Sequence, residues 1–245
     1  GDGRMADIEY ILKELDNFFK SKSSNKKYRA IVTAGPTQEY IDPVRYISNR
    51  SSGKQGYEIA KSLFNNGFDT TLISGPSKLT PDPNINLLKV NTAEEMYQRT
   101  IENLPCDVAI FCAAVGDFKV KNLSENKIKK NKDLKLDFEK NIDILKLISK
   151  NNNKPKLVIG FSAETNNLHS NSKQKLQNKG CDWIIANDIS KNDIGFDSDF
   201  NEVSIFYKDE KVEDEIISKT YKSVVADEIV KRVINQLNMI WWSKY

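Results

Sequence analysis

The stretch Thr33-Ala34-Gly35-Pro36-Thr37, followed by Asp42-Pro43-Val44-Arg45-Tyr46-Ile47-Ser48-Asn49-Arg50-Ser51-Ser52-Gly53-Lys54-Gln55-Gly56, decides how this chain is read. Before it lies Ala30-Ile31-Val32, an apolar run that reads as a buried strand. After it comes Tyr57-Glu58-Ile59-Ala60-Lys61-Ser62-Leu63-Phe64, whose apolar spacing is helical. A long, polar, glycine-bearing segment between strand and helix is where α/β proteins bind phosphates. Small residues let the backbone approach an anion, and the N–H groups of the helix start face it. The segment is far longer than the roughly 2–6 residues that usually join a strand to a helix. It therefore reads as functional rather than as a connector.

Outward from this stretch, strands and helices alternate. The pattern predicts strands at 29–34, 69–74, 86–90, 107–113, 157–161 and 183–186, and helices at 56–66, 92–103 and 168–179. Thr92 with Glu95 three residues on is a capping-box pattern. The apolar runs are short, near-continuous and separated by helices, as in a parallel sheet covered on both faces. Residues 202–207 and 211–215 predict an antiparallel hairpin across Lys208-Asp209-Glu210, and a last helix is expected at 220–237. The N-terminal segment differs in character. Ile8, Ile11, Leu12, Leu15, Phe18 and Phe19 have helical spacing, and 20–27 reads as a linker. The expected division is a helix and linker over 1–27 and one domain over 28–245.

Bulk composition excludes several classes. The 245 residues carry a net charge of only +3, which does not point to nucleic acid. The lysine clusters Lys127-Ile128-Lys129-Lys130 and Lys173 to Lys179 read alone as solvated faces. Cys106, Cys112 and Cys181 have no CxxC spacing, and with the single His169 they do not make a convincing zinc site. Cys112 and Cys181 are expected as buried free thiols and His169 as exposed. No signal peptide and no apolar run near 18 residues is present, so the expectation is a cytoplasmic chain without a membrane partner.

Ligands of parallel sheets bind beyond the carboxyl ends of the strands. Gly35, Ala114, Phe161 and Asn187 fall there. Gly35 is not part of a G-x-G-x-x-G, the second strand ends in Ser74-Gly75-Pro76 rather than in an acid, and there is no G-x-x-x-x-G-K-[ST]. A dinucleotide-dependent reductase and a P-loop NTPase are both disfavoured. Small residues in Cys112-Ala113-Ala114-Val115-Gly116-Asp117-Phe118 leave room for a flat group. Asp117 could take Mg²⁺ or a sugar hydroxyl. Lys175 and Lys179, four apart, share a helix face and could meet one anion. Together these features favour a nucleoside triphosphate site.

The segments from Val32 to Glu39 and from Ile41 to Gly53, with Ala113-Ala114-Val115-Gly116-Asp117-Phe118, Lys127-Ile128-Lys129-Lys130, Gly160-Phe161-Ser162-Ala163-Glu164-Thr165 and Ala186-Asn187-Asp188-Ile189-Ser190, resemble phosphopantothenate–cysteine ligase, in the family's order. The resemblance runs from about residue 28 to near the end. It implies a Rossmann-like three-layer α/β fold with a mainly parallel sheet and the C-terminal hairpin. It also implies the joining of 4′-phosphopantothenate to L-cysteine with CTP and Mg²⁺, through an acyl-cytidylate, by a homodimer. Bacterial members are fused behind a flavin-dependent decarboxylase, and Gly1-Asp2-Gly3-Arg4-Met5-Ala6 looks like that junction.

Carried over by position, Asn49 would stabilise the acyl-cytidylate and Lys127 would act in the second step. Arg45, Asn49 and Ala114 would bind the acid, with Arg45 reaching across a dimer interface. The nucleotide would meet Gly35, Ser51, Ser52, Gly53, Phe111, Cys112, Ala113, Asp117, Phe118, Lys127, Asp143, Phe161, Lys175 and Lys179, with Asp117 as the metal ligand. Two positions depart from the family pattern: Asn141-Ile142-Asp143 stands where Asn-Pro-Asp is usual, and Gly116 where alanine is usual. Two other readings carry their own tests. A Rossmann-type NAD(P) reductase would bind NADPH. A non-catalytic regulatory subunit of this fold would lack Asn49 or Lys127, and both are present.

Overall fold

The computed structural model describes residues 8, 11, 12, 14, 15, 28–129, 135–190 and 198–242. The apolar run before the deciding stretch is strand β1 (Tyr28–Ala34). Its neighbours follow as β2 (Gln38–Tyr40), β3 (Tyr46–Ser48), helix α1 (Lys54–Asn65), β4 (Phe68–Ser74), β5 (Asn86–Lys89), α2 (Ala93–Glu102) and β6 (Val108–Phe111). Then come β7 (Phe118–Val120), β8 (Phe138–Lys140), α3 (Ile144–Ser149), β9 (Leu157–Glu164), α4 (Leu168–Lys179), β10 (Trp183–Asp188), β11 (Phe200–Tyr207), β12 (Glu215–Tyr221) and α5 (Lys222–Trp242).

The main sheet has the order β12-β11-β10-β9-β6-β1-β4-β5. It is parallel from β10 to β5, and β11 and β12 are antiparallel. The chain first builds outward from β1 to β5 and then returns to build from β6 toward β12. The strand order therefore reverses between β1 and β6, and a crevice opens beyond their carboxyl ends.

The sheet has a core on each face, as the near-continuous apolar strands require. Ala30, Val32 and Ala34 of β1 pack with Ile59 and Leu63 of α1 and with Val225, Ile229 and Val233 of α5. Ile31 turns to the other face, with Ile73, Met96, Ile148 and Leu176. Tyr28 Oη donates to Asn238 Oδ1 at 3.0 Å, and Ser62 Oγ donates to Asp227 Oδ1 at 2.7 Å, which ties α5 to β1 and α1. The Thr92 cap is present: its Oγ1 accepts from Glu95 N at 3.2 Å, while Glu95 Oε2 reaches back to Asn91 N at 2.7 Å.

Three expectations change. The hairpin's second strand is Glu215–Tyr221 rather than 211–215, because the charged run around 208–214 forms the turn and its end. The last helix begins at Lys222, with Lys222 N donating to Asp199 O. The long segment after β1 contains the β2–β3 ribbon, which strand patterning had not revealed in three-residue pieces. The expected helix over 8–19 and linker over 20–27 lie mostly outside the described residues. Of the helix, Ile8, Ile11, Leu12 and Leu15 are described and helical, and Ile8, Leu12 and Leu15 are exposed. Cys181 is a buried free thiol and His169 is exposed, as expected; Cys112, expected buried, is a free thiol only half-buried, and Cys106 is a buried free thiol.

Gly56 of α1 lies directly on β1. A Cβ there would stand 2.6 Å from Ala34 Cβ, inside any real contact distance. Gly56→Ala should therefore destabilise by about 1–3 kcal/mol through overpacking, read as a lower urea midpoint at unchanged slope. The double variant Gly56→Ala/Ala34→Gly should recover part of the loss. Full stability of Gly56→Ala would show that helix and strand are not in this contact.

Candidate active site

Beyond β1 the chain makes a turn that only glycines permit. Gly35 has φ 71°, and Gly75, at the end of β4, would place a Cβ 1.8 Å from Pro36 O. Gly75 N donates to Ala34 O at 2.9 Å. Pro36 then bridges to Ala114, with Ala114 N donating to Gly35 O at 2.9 Å and Thr37 N to Ala114 O at 3.3 Å. The β1–β6 ladder thus continues past both strands as a narrow ridge, and two cavities flank it.

The first cavity, about 430 Å³, is lined among others by Phe111, Ala113, Asp117, Phe118, Asp143, Phe161, Lys175 and Lys179. The second, about 480 Å³, is lined by Asn49, Ser51, Ser52, Gly53, Cys112, Ala114 and several further residues. Ala113, Val115 and Phe161 face both. Of the expected site residues, Asn49, Ser51, Ser52, Gly53, Phe111, Cys112, Ala113, Ala114, Asp117, Phe118, Asp143, Phe161, Lys175 and Lys179 line one cavity or the other. Gly35 forms the ridge beneath. Arg45 and Lys127 line neither cavity.

The second cavity suits an anion. Among the described residues its lining holds Arg50, Lys54 and Lys222 and no carboxylate. It includes the start of α1, where Gly53 is the N-cap at φ 80° and no side chain caps the helix. Ser51 Oγ accepts from Gly53 N at 3.2 Å, and Lys54 pairs with Asp199 at 2.9 Å. Asn49 Nδ2 donates to Val115 O at 2.9 Å, which holds the amide at the cavity wall with its second proton still to give. Burial pushes the Cys112 thiol up to about 12, so it stays protonated at neutral pH.

In the first cavity Lys175 and Lys179 are already paired. Lys179 Nζ meets Asp143 Oδ2 at 2.6 Å, and Lys175 Nζ meets Glu164 Oε1 at 2.6 Å. Glu164 is buried, which alone would raise its pKa. Hydrogen bonds from Lys175, Ser162 and Asn171, with the Lys175 charge, outweigh burial and hold it below the usual carboxylate range. The backbone N–H groups of Cys112, Ala113 and Ala114 donate to Thr33 O, Thr33 Oγ1 and Gly35 O. These three N–H groups are thus occupied within the protein, and Ala114 O already accepts from Thr37 N. Ile142, where the family has proline, also lines this cavity, and Asn141 Nδ2 donates to Gly116 O at 3.0 Å.

Arg45 instead engages Asp42 and the backbone of Ile128, the residue after Lys127. Arg45 Nη1 pairs with Asp42 Oδ2 at 3.0 Å, and Arg45 Nη2 donates to Ile128 O at 3.2 Å. Burial alone would raise the Asp42 pKa; backbone bonds from Val44, Ile128 and Arg45, with the Arg45 charge, outweigh it and hold the carboxyl low. Sequence reading missed the second cavity's far wall: Gln55, Asn201 and Lys222. Asn201 Nδ2 donates to Gln55 Oε1 at 3.0 Å, and Gln55 Nε2 to Lys222 O at 3.2 Å. Gln55 lies in α1, Asn201 in β11 and Lys222 at the start of α5, and nothing local in the sequence marks that they meet. Asn187 also lines this cavity, and its signal was its place at the end of a strand.

Among the described residues no helix is long and apolar enough to cross a membrane, and no group of three or more His, Cys, Asp or Glu gathers as a metal site. Residues 25–237 match the family model of the DNA/pantothenate metabolism flavoprotein C-terminal domain. The coenzyme A biosynthesis bifunctional protein CoaBC of Haemophilus influenzae is 39% identical over 238 residues, covering 96% of this chain and 58% of that protein. The Escherichia coli protein of the same name is 37% identical over 238 residues, covering 95% and 59%. The chain thus spans less than two thirds of the curated relatives' length. A crystal structure of the C-terminal domain of a CoaBC superposes with TM-score 0.72 at 34% identity, covering 88% of this chain and 99% of that one. This chain belongs to the DNA/pantothenate metabolism flavoprotein C-terminal domain family.

Proposed function

We propose that this chain joins 4′-phosphopantothenate to L-cysteine, using CTP and passing through an acyl-cytidylate. The observation that carries the reading is the pair of cavities meeting at Ala113, Val115 and Phe161, one lined by three cations and, among the described residues, by no carboxylate, the other by Asp117, Asp143, Lys175 and Lys179. The 34% identity to the C-terminal domain of a CoaBC supports it.

In this reading the acid lies in the second cavity, its phosphate at the cationic start of α1. Its carboxylate oxygen attacks the α-phosphorus of CTP, and the bond to the bridging oxygen breaks, releasing pyrophosphate. The cysteine amine then attacks the acyl carbon. A proton leaves nitrogen, the acyl–oxygen bond breaks, and CMP departs with that electron pair. Asn49, at the junction, donates its second amide proton to the oxygen where charge develops. Lys127 serves the second step. CTP is the expected nucleotide because the chain resembles the bacterial, decarboxylase-fused ligases. Lys175 and Lys179 must exchange Glu164 and Asp143 for phosphate oxygens as the nucleotide enters.

Mg²⁺ in nucleotide sites takes one or two carboxylates plus phosphate oxygens and water, and the exposed Asp117 at the first cavity fits that donor set. When bound, the ion would screen the meeting of two anions.

The reading extends to a homodimer. Tyr40, Val44 and Tyr46 on the β2–β3 ribbon, and Phe118, Leu123 and Phe138 on and beside the β7–β8 ribbon, are exposed apolar side chains. We take a second copy of the chain as their cover. Arg45 engages Asp42 and Ile128 through two N–H groups and keeps its remaining donors for an anion brought by the partner.

Pyrophosphate release with phosphopantothenate, cysteine and each of CTP, ATP, GTP and UTP tests the reading. CTP should be strongly preferred; equal or better turnover with ATP contradicts the CTP assignment, and no release with any nucleotide contradicts the ligase. Asn49→Ala should cost about 10²–10³ in rate with CTP binding kept, and near-normal turnover would make Asn49 only a turn residue. Sedimentation of the active protein should give a dimer; an active monomer would leave the apolar ribbons unexplained.

A further inference from the structure

Asp42 is wholly buried, although its neighbours Pro43 and Val44 are exposed. Each carboxylate oxygen does separate work. Oδ1 accepts from Val44 N at 2.8 Å and Arg45 N at 2.9 Å, closing an Asx turn. Oδ2 accepts from Arg45 Nη1 at 3.0 Å and from Ile128 N at 3.1 Å, 86 residues away in sequence. Arg45 Nη2 completes the figure by donating to Ile128 O. Both backbone groups of Ile128 are thus held by one acid–base pair, and Ser124 N adds a bond to Ile41 O at 3.2 Å. Lys127, next to Ile128, is exposed on a coil that belongs to no strand or helix. Charge-assisted bonds of this kind are about twice as strong as neutral ones.

We propose that Asp42 is a positioning residue: through Arg45 and the Ile128 backbone it fixes where Lys127 stands relative to the two cavities. This rests on the ligase reading, which gives Lys127 its catalytic part. Asp42 lines neither cavity, so it acts through the loop and not on either substrate. The Asp-Pro-Val-Arg turn is then more than a bend before β3. It joins the segment that carries Arg45 to the segment that carries Lys127, so that the two move as one body.

Asp42→Asn separates the two duties. The amide keeps a carbonyl oxygen for Val44 and Arg45, but its NH₂ group opposes two donors at Ile128 N and Arg45 Nη1. Hydrogen exchange should speed up by about tenfold or more at amides 124–129 and stay unchanged at Val44 and Arg45. In steady state, kcat should fall on the order of 10²-fold from misplacement of Lys127, while KM for CTP stays within about twofold. Unchanged exchange at 124–129 overturns the proposal. So does a variant with a lower melting temperature but normal kcat per folded molecule, which would make Asp42 structural only. If Asp42→Asn does not fold, Arg45→Gln keeps the Asx turn and removes the bond to Ile128 O. Its exchange at 124–129 must rise, and no rise overturns the proposal equally. The exchange experiment needs no substrate, so a wild-type protein that forms no amide product would sink the ligase reading while the clamp is still decided.

Discussion

The site depends on a steric constraint: three stretches of backbone must cross beyond the end of β1 with no side chain between them. Gly75 passes Pro36 so closely that any Cβ would sit 1.8 Å from its carbonyl oxygen, and Gly56 presses α1 onto Ala34. That closeness sends Pro36 and Thr37 across to Ala114 instead of outward. The ridge so formed divides the crevice at the β1–β6 reversal into two cavities, and it leaves room for the long segment to return as the β2–β3 ribbon before α1 begins. A larger side chain at any of these crossings would move the walls of both cavities together.

Electrostatics then divides the two cavities. The second concentrates positive charge around a helix start with, among the described residues, no carboxylate in its lining. The first holds Lys175 and Lys179 matched by Glu164 and Asp143. Glu164 shows the cost of that arrangement. Its folded pKa is depressed, so its contribution to stability is present above the unfolded value and is lost as pH falls through the lower folded value. Lys175 Nζ is held in a definite place, 2.6 Å from Glu164 Oε1 and 3.4 Å from Ser162 Oγ.

Local chemistry made much of this legible in the sequence. The apolar run into Gly35, the Thr92–Glu95 cap and the alternation of short apolar strands with helices state their structures within a few residues. The sheet-edge rule placed Ala114, Phe161 and Asn187 at the cavities and Gly35 in the ridge between them, while the other expected lining residues came from the family resemblance. What stayed hidden needed distance in sequence. The Asp42 turn is visible as Asp-Pro, but nothing local says that its second oxygen reaches residue 128. Gln55, Asn201 and Lys222 meet only because α1, β11 and the start of α5 come together in the fold. The hairpin's second strand lay later than its pattern suggested, since a charged turn as long as 208–214 leaves the strand's start to be set by pairing with β11. The β2 and β3 pieces are too short and too exposed to carry a strand period.

The central claim is that the two cavities hold the two halves of one acyl-nucleotide. The most direct measurement omits cysteine. Enzyme at substrate-like concentration is mixed with CTP and phosphopantothenate, quenched within a turnover, and its small molecules are weighed by mass spectrometry. The account predicts about one acyl-cytidylate and one pyrophosphate per active site, both persisting until cysteine is added. An acyl phosphate accompanied by CDP, or no pyrophosphate before cysteine arrives, would contradict it.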